Sequence, residues 1–259
     1  SGTAAGAETG TEAERAADHD GRTGILMIAI TPLASGSSGN CYRVSDGRTP
    51  LLLECGIKYK DIQKGCGFRL SEIKACLISH EHQDHAKAVN DIMKAGIDCY
   101  MSQGTAEALG ISGHRVHIIK AKQQFQVGTW TILPFETEHD AAEPLGFLMA
   151  NHGGEKLLYA TDTYFIRYKF HGLTHIMVEA NYSLDILRAN VEAGTVDANL
   201  KNRILKSHFS LENVKKFLQA NDLGKVQEIW LLHMSDGNSD AARFKREIQE
   251  LTGKMVFVA

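Results

Sequence analysis

The chain has 259 residues, of which 43% are hydrophobic and 23% are charged, and its formal net charge is −3. These values are ordinary for a globular protein, and the length suffices for one large domain with a buried core. No run approaches the 18 apolar residues of a transmembrane helix, and the first residues lack the apolar stretch of a signal peptide. Five cysteines without a CxxC pair argue against a disulfide framework and predict a cytoplasmic location.

The whole net charge lies in residues 1–24, which hold five acidic and two basic side chains. This stretch is rich in Ala, Gly and Thr and offers little to bury, so we expect a disordered tail, native or left over from cloning. The prediction is therefore one electroneutral domain over residues 25–259, in which local patches must supply any attraction for nucleic acid. The composition departs from the ordinary at one point, since twelve histidines accompany only two tryptophans.

Short strand patterns recur through the first 160 residues. Strands are predicted over 25–31, 41–44, 51–54, 75–79, 97–101, 115–119, 128–135, 145–150 and 156–160. Apolar residues at helical spacing predict one helix over 85–95 in this half. After residue 175 the two patterns alternate, with strands over 175–179, 228–232 and 255–259 and helices over 184–192, 211–220 and 239–251. This order predicts a single α/β domain with helices on the outer faces of sheets.

The sharpest motif is Ser79-His80-Glu81-His82-Gln83-Asp84-His85, which lies where an apolar strand ends and a helix begins. Four potential ligands within six residues cannot all face one side of a regular element. A turn can bring His80 and His82 to one point, and Asp84 and His85 to an adjacent one. Neutral imidazoles combined with a carboxylate suit zinc, manganese or iron. The motif therefore predicts a metal site.

This His-x-His-x-Asp-His spacing after an apolar strand resembles the signature of the metallo-β-lactamase fold. The resemblance extends over about Met27 to Ala259 and implies an αββα four-layer sandwich with two divalent ions, zinc or manganese, at one edge of its sheets. The family's downstream ligands resemble His139, Asp162 and His233. By resemblance, one ion would be held by His80, His82 and His139 and the other by Asp84, His85 and His233, with Asp162 bridging the two. Such a pair of cations can neutralise charge that develops on a phosphoryl or acyl oxygen.

Two later motifs resemble the catalytic segments of ribonuclease Z-type enzymes. They are Met177-Val178-Glu179-Ala180-Asn181 and Ser207-His208-Phe209-Ser210. The resemblance implies that Glu179 orients His208, and that His208 donates a proton to the leaving oxygen or contacts the phosphate. An alkoxide leaving group needs such a general acid. The alternative is a histidine at the start of a helix, because Ser210 and Glu212 resemble a helix cap.

Residues 33–40, 139–144 and 233–235 together resemble the YycJ/WalJ-type branch of the fold, whose members are associated with 5′→3′ DNA exonuclease activity. In the first of these stretches, Ser37, Ser38 and Asn40 are candidate substrate contacts, because small hydroxyl side chains and backbone N–H groups suit an anion. A plain flexible turn is the alternative for that stretch.

The spacing between motifs is short. Only 23 positions separate His139 from Asp162, and 71 separate Asp162 from His233. These gaps leave no room for the long arm of ribonuclease Z or for a β-CASP clamp. One residue departs from the fold's pattern. Glu54 stands where an aspartate usually supports the loop that carries the histidine motif (residues 79–85, called the metal loop below), and the extra methylene shifts that contact.

Two groups of basic residues are candidate contacts for nucleic acid, with solvated helix faces as the alternative. The first group is Lys58, Lys60, Lys64, Arg69 and Lys74. Tyr59 and Phe68 lie beside it in the sequence and are candidates for stacking on nucleobases. The second group is Lys201, Arg203, Lys206, Lys215 and Lys216, around His208.

The predicted function is that of a dinuclear-metal phosphodiesterase, specifically a 5′→3′ DNA exonuclease of DNA repair or recombination in which Asp84 also aligns water. DNA is the expected partner, no membrane association is expected, and a homodimer stays open. One alternative is a phosphodiesterase of small cyclic nucleotides, which the electroneutral body and the absent clamp favour. The other is a catalytically silent metal-binding scaffold, which the complete ligand set disfavours.

Overall fold

The computed structural model describes residues 27–259, so the predicted tail lies outside the described residues. Within them the chain forms two sheets. The first has the order β1-β2-β3-β4-β5-β6, with bounds Ala29–Ala34, Cys41–Ser45, Leu51–Leu53, Ala75–Leu77, Asp98–Met101 and Val116–Ile118. The second has the order β13-β12-β11-β10-β9-β8-β7; in chain order its strands are Phe125–Val127, Trp130–Glu136, Leu145–Asn151, Lys156–Ala160, His175–Glu179, Glu228–Leu232 and Met255–Val258.

Eight α-helices accompany the sheets in the described part of the chain. From α1 to α8 their bounds are Tyr59–Gly65, Gln83–Ala86, Val89–Lys94, Gln103–Leu109, Leu184–Glu192, Ala198–Ser207, Leu211–Ala220 and Ala241–Thr252. No helix in residues 27–259 is both long enough and apolar enough to cross a membrane. All five cysteines are buried and free.

The strand β3 shows how the layers form. Leu51 and Leu53 point into the core between the two sheets, whereas Leu52 points to the outer face, as the two-residue period of a strand requires. On that outer face Leu52 packs in one cluster with Ile62 of α1 and with residues of α3 and α4. The outer face of the second sheet is covered by α7 and α8, through residues such as Phe244. The predicted αββα sandwich in a single domain is therefore confirmed.

The helix predicted over 85–95 is two helices, α2 and α3. The break falls at Ala88, whose N–H donates to the carbonyl of Cys55 after β3, while the N–H of Cys55 donates to the carbonyl of His85. This backbone bridge ties the histidine motif to the neighbouring strand end and stops the helix there. The sequence pattern also missed α1, α4, α6 and β7, which are short or largely polar.

The topology brings several strand ends to one edge of the sandwich. In the first sheet β3 and β4 run parallel. In the second, β10, β11 and β12 run parallel, and β8 has the same direction because both β8 and β10 are antiparallel to β9. Each predicted ligand follows the carboxyl end of one of these strands, so the fold places the ligands together.

Candidate metal centre

The first group of candidate ligands converges on a point beneath the loop after β4. Nδ1 of His82 lies 3.1 Å from Nε2 of His80 and 3.2 Å from Nε2 of His139. Oδ2 of Asp162 lies 3.8 Å from the His80 nitrogen and 3.6 Å from the His139 nitrogen. These four side chains are the group that the sequence resemblance assigned to one ion, with Asp162 included.

The second group lies beside the first and shares Asp162 with it. Nε2 of His85 is 3.4 Å from Oδ2 of Asp84 and 3.4 Å from Oδ2 of Asp162. His233 completes the group, with its Nε2 3.4 Å from Oδ2 of Asp84 and its Nδ1 2.8 Å from Oδ1 of Asp162. All seven predicted ligands are therefore brought together, with Asp162 in the middle.

The two groups fit divalent cations by their spacing and by their unsatisfied atoms. Ligand atoms about 2.0–2.2 Å from a tetrahedral ion lie about 3.3–3.6 Å from each other, close to the distances observed in both groups. Nε2 of His233 is buried and has no hydrogen-bond partner among residues 27–259, although it faces Asp84. A buried polar atom without a partner is costly, and a bound cation removes that cost.

Second hydrogen bonds orient the histidine rings toward these points. Nδ1 of His139 donates to the carbonyl of Ser207 at 2.9 Å, which turns Nε2 inward. Nδ1 of His80 lies 2.9 Å from Oγ of Ser79, with the same effect. Burial lowers the pKa of both His80 and His139, so both rings are neutral, the form that binds a cation.

Charge is balanced differently in the second group. Burial opposes charge on His85 and His233, but the neighbouring Asp162 outweighs it and raises the pKa of both histidines well above the ordinary value. Burial also opposes charge on Asp162, yet the same two histidines hold the pKa of its carboxyl well below the ordinary value. The buried carboxylate of Asp162 is thus stabilised by positive charge, which divalent cations also supply, in addition to the hydrogen bond that it accepts from the hydroxyl of Thr161.

Three non-glycine residues at the site have left-handed backbone conformations directly after strands. They are Glu54 after β3, Asp162 after β10 and His233 after β12, with φ of 64°, 41° and 50°. Such conformations cost about 1–3 kcal/mol each and concentrate at functional sites. The side-chain contacts of Asp162 and His233, described above, and those of Glu54, described next, hold the backbone in these conformations.

Glu54 occupies the supporting position that sequence reasoning singled out. Its buried carboxylate accepts hydrogen bonds from the N–H of Ser79 at 3.2 Å and the hydroxyl of Tyr159 at 3.0 Å. Oε2 of Glu54 lies 3.7 Å from Nδ1 of His85, a nitrogen without a hydrogen-bond partner among the described residues. The longer side chain therefore reaches the start of the metal loop and the back of one ligand.

Replacing Glu54 with Gln is expected to weaken divalent-cation affinity by about 10–100-fold, because it removes the negative charge behind His85. The affinity for Mn²⁺ or Zn²⁺ can be measured by competition with a chelating dye. Glu192→Gln, at an exposed position, is the matched control and should leave the affinity unchanged. Equal affinities for the two variants would contradict a supporting role for Glu54.

Gly56 lets the metal loop approach the end of β3. A Cβ at this position would lie 1.7 Å from the carbonyl oxygen of Asp84 and 2.6 Å from the nitrogen of His85, both backbone atoms that cannot move aside cheaply. Gly56→Ala is therefore expected to lower the free energy of unfolding by at least about 1–3 kcal/mol in urea denaturation. Gly237→Ala is the control, since its Cβ would meet nothing within 4 Å, and equal stability of the two variants would refute the argument.

A second pair of side chains stands beside the ligands. Nδ1 of His208 is 2.6 Å from Oε1 of Glu179, the last residue of β11. Oε2 of Glu179 accepts from the N–H groups of Thr163 and Phe209, at 3.0 Å each, so the carboxylate is fixed in place. Burial acts to lower the pKa of His208, but Glu179 outweighs it and raises that pKa above the ordinary value.

His208 occupies the link between two helices, and sequence reasoning foresaw only the second of them. Ser210 caps α7, its hydroxyl accepting from the N–H of Asn213, as the alternative interpretation expected. His208 itself ends α6, a helix that the sequence pattern missed. The cap and the contact with Glu179 coexist, because the cap uses Ser210 and leaves the His208 ring free to turn inward.

The site opens into a cavity of about 320 Å³. Besides ligands and His208, its walls include Ser37, Arg203 and Asn238. Sequence reasoning placed Arg203 only in a basic group and Asn181 and Ser235 only within motifs, and it missed the cavity residues Leu200 and Ile204. The available signal for α6 was Asp197, whose side chain caps the helix by accepting from two backbone N–H groups.

The three candidate substrate contacts separate into two environments. Ser37 and Ser38 are exposed, and Ser37 lines the cavity. Asn40 is fully buried and is bonded to the backbone of Gly36, and its Nδ2 lies 3.2 Å from Nε2 of His85. The side chain of Asn40 is therefore not open to a substrate, and it braces the metal loop instead.

The chain is similar to several known proteins. A family profile described as "Beta-lactamase superfamily domain" matches residues 63–234. The exodeoxyribonuclease WalJ of Streptococcus pneumoniae is 28% identical over 224 residues, 80% of this chain and 81% of the relative. The exodeoxyribonuclease YycJ of Bacillus anthracis is 27% identical over 232 residues, 83% and 85% of the two chains. The metallo-beta-lactamase fold protein YhfI of Bacillus subtilis superposes with a TM-score of 0.66 at 15% identity, over 89% of this chain and 95% of its own, which shows a shared fold.

Proposed function

The chain belongs to the beta-lactamase superfamily and is a metal-dependent hydrolase, and on that premise we propose that it is a phosphodiesterase that removes nucleotides from the 5′ end of DNA. Two divalent ions, zinc or manganese, would be held by the seven ligands, and the cellular role would be DNA repair or recombination. The supporting names are those of two relatives called exodeoxyribonucleases, each aligned over more than three quarters of this chain.

The observation that carries the proposal is the position of His208 beside two ligand groups that share Asp162. All three lie in the wall of one cavity, so a single bound ester can contact them together. Hydrolysis of a phosphodiester needs a nucleophile on one side of phosphorus and a proton for the leaving oxygen on the other. This arrangement provides residues for both requirements.

The residues of the chain divide the work as follows. Divalent cations at the seven ligands would acidify water and neutralise charge on the phosphoryl oxygens. Asp84, about one quarter exposed, can accept a hydrogen bond from the attacking water and align it. Glu179 fixes Nδ1 of His208, which leaves the other ring nitrogen to donate a proton to the departing sugar oxygen. The guanidinium of Arg203 and the hydroxyl of Ser37 can bind non-bridging phosphate oxygens from the cavity wall.

The experiment that tests the proposal is a substrate panel. Metal-loaded protein is incubated with end-labelled single-stranded and double-stranded DNA, with RNA and with cyclic nucleotides, and the products are resolved by length. We expect mononucleotides to be released from DNA with a 5′ phosphate. Turnover of cyclic nucleotides alone would overturn the DNA exonuclease proposal.

A small cyclic phosphodiester is the second candidate substrate. The electroneutral body over residues 25–259 favours it, because a long polyanion gains little from a neutral surface. Salt distinguishes the two, since binding of a strand loses affinity steeply with salt, in proportion to the phosphates contacted, whereas a cyclic nucleotide responds weakly. A flat salt dependence of KM would favour the small substrate.

A further inference from the structure

A second cavity, of about 240 Å³, lies next to the metal centre between the segment 165–169 and α7. We call it the aromatic groove. Its lining includes the buried rings of Phe209 and Phe217 and the ring of Phe165, which is 52% exposed. An exposed aromatic ring beside buried ones offers a flat apolar surface to a ligand, and nothing in the metal centre uses that surface.

The charges in the aromatic groove all have one sign. Arg167, Lys169 and Lys216 line it, and among the described residues no acidic side chain does. Arg167 is paired with Glu138, but Lys169 and Lys216 have no ion pair with any residue in 27–259 and are exposed. Two unpaired cations beside an aromatic surface are complementary to a ligand that combines a flat ring with negative charge.

Two walls of the aromatic groove are formed by residues that closely follow residues of the metal centre in the sequence. Phe165 follows the shared ligand Asp162 by three residues, so their backbones are at most about 11 Å apart. Phe209 directly follows His208. A polymer bound at the metal centre can therefore reach the groove, whereas a mononucleotide-sized ligand bound at the cations does not need it.

We propose that the aromatic groove binds an unpaired nucleobase of the DNA strand whose scissile phosphate lies at the metal centre. This inference rests on the proposed function. The base would stack on Phe165, and the adjoining phosphates would pair with Lys169 and Lys216. Stacking of this kind is independent of base identity and needs a base that is not paired, so the groove recognises single-stranded and not duplex DNA.

The test is the binding of metal-loaded protein to a fluorescent twelve-residue oligo-deoxythymidine with phosphorothioate linkages, measured by anisotropy. Phe165→Ala is expected to weaken binding by about 5- to 100-fold. Lys216→Ala is expected to weaken it and to lower the slope of log affinity against log salt by about 0.7, the value for one phosphate contact on a single strand. Hydrolysis of bis(p-nitrophenyl) phosphate, too short to reach the groove, checks that each variant is folded.

Two control variants sharpen the result. Met255→Ala removes an apolar side chain that is 57% exposed on β13, and Lys94→Ala removes an exposed lysine of α3. Both should bind the oligonucleotide like the parent chain. An unchanged affinity for Phe165→Ala, or an equal loss of affinity for Met255→Ala, would overturn the groove. So would a loss of affinity for blunt duplex DNA in Phe165→Ala that equals the loss for the single strand.

Failure of the groove and failure of the proposed function give different results. Cleavage of an unmodified strand by the parent chain tests the function alone, and no cleavage overturns that function. Cleavage by the parent chain together with unchanged binding by Phe165→Ala overturns only the groove.

Discussion

Replacing Asp84 with alanine is expected to lower phosphodiester hydrolysis by about 10²–10⁴-fold while the fold stays intact. The carboxylate of Asp84 lies between His85 and His233 in the second ligand group. Partial burial acts to raise the pKa of this carboxyl, but the hydrogen bonds with the two histidines outweigh it and hold the pKa well below the ordinary value. An ionised carboxylate at this point would help to hold a divalent cation, which would stabilise the transition state by several kcal/mol. Each loss of about 1.4 kcal/mol lowers the rate tenfold. Rates with bis(p-nitrophenyl) phosphate and with DNA measure the loss.

The fold is expected to survive because the side chain of Asp84 is partly exposed and α2, which carries it, is only four residues long. Thermal unfolding followed by circular dichroism checks this. Gln83→Ala, at the exposed neighbouring position, is the matched control and should keep full activity. Asp84→Ala with the activity of the parent chain would show that the second ligand group takes no part in hydrolysis.

Replacing His208 with alanine is expected to slow DNA cleavage by about 10²–10⁴-fold, the usual contribution of a general acid. The loss should shrink below about tenfold for bis(p-nitrophenyl) phosphate, because p-nitrophenolate leaves without needing a proton. Glu179→Gln should show the same dependence on the leaving group, since Oε1 of Glu179 holds Nδ1 of His208. It should also show a loss common to both substrates, since the same oxygen lies 3.1 Å from Nδ1 of the candidate ligand His233.

Comparison of the two substrates separates proton donation from other roles of His208. If His208 only contacted the phosphate, its removal would slow both substrates equally. Equal losses on DNA and on the nitrophenyl ester would therefore contradict proton donation.

The seven candidate ligands that the family resemblance supplied lie together in the structure, because each follows a strand with a clear apolar pattern. His80 to His85 follow β4, Asp162 follows β10 and His233 follows β12, and these strands are buried and continuous. Parallel strands then bring their carboxyl ends to one edge, so position along the chain becomes position in space. The strand and helix patterns predicted an α/β domain with helices on the outer faces of sheets, and the family resemblance supplied the αββα sandwich.

The walls of the site were less predictable. The helix α6 carries Leu200 and Arg203 into the cavity, but its sequence is mostly polar and shows a short apolar face. Asn40 was predicted as a substrate contact, but its side chain is buried. The sequence of a Gly/Ser-rich turn does not show which side chains turn inward. Asn40 is buried by contacts with His85, which is distant in sequence, and with Gly36, which lies in the same irregular turn.

We propose that two cations, held by the seven candidate ligands, would support phosphodiester hydrolysis. This proposal is tested most directly by following cleavage of 5′-phosphorylated single-stranded DNA while Mn²⁺ is added stepwise to chelator-stripped protein, with bound ions counted at each step. We expect cleavage to rise as the second ion binds to each chain and to be absent from the stripped protein. Full cleavage with one ion per chain, or with none, would contradict it.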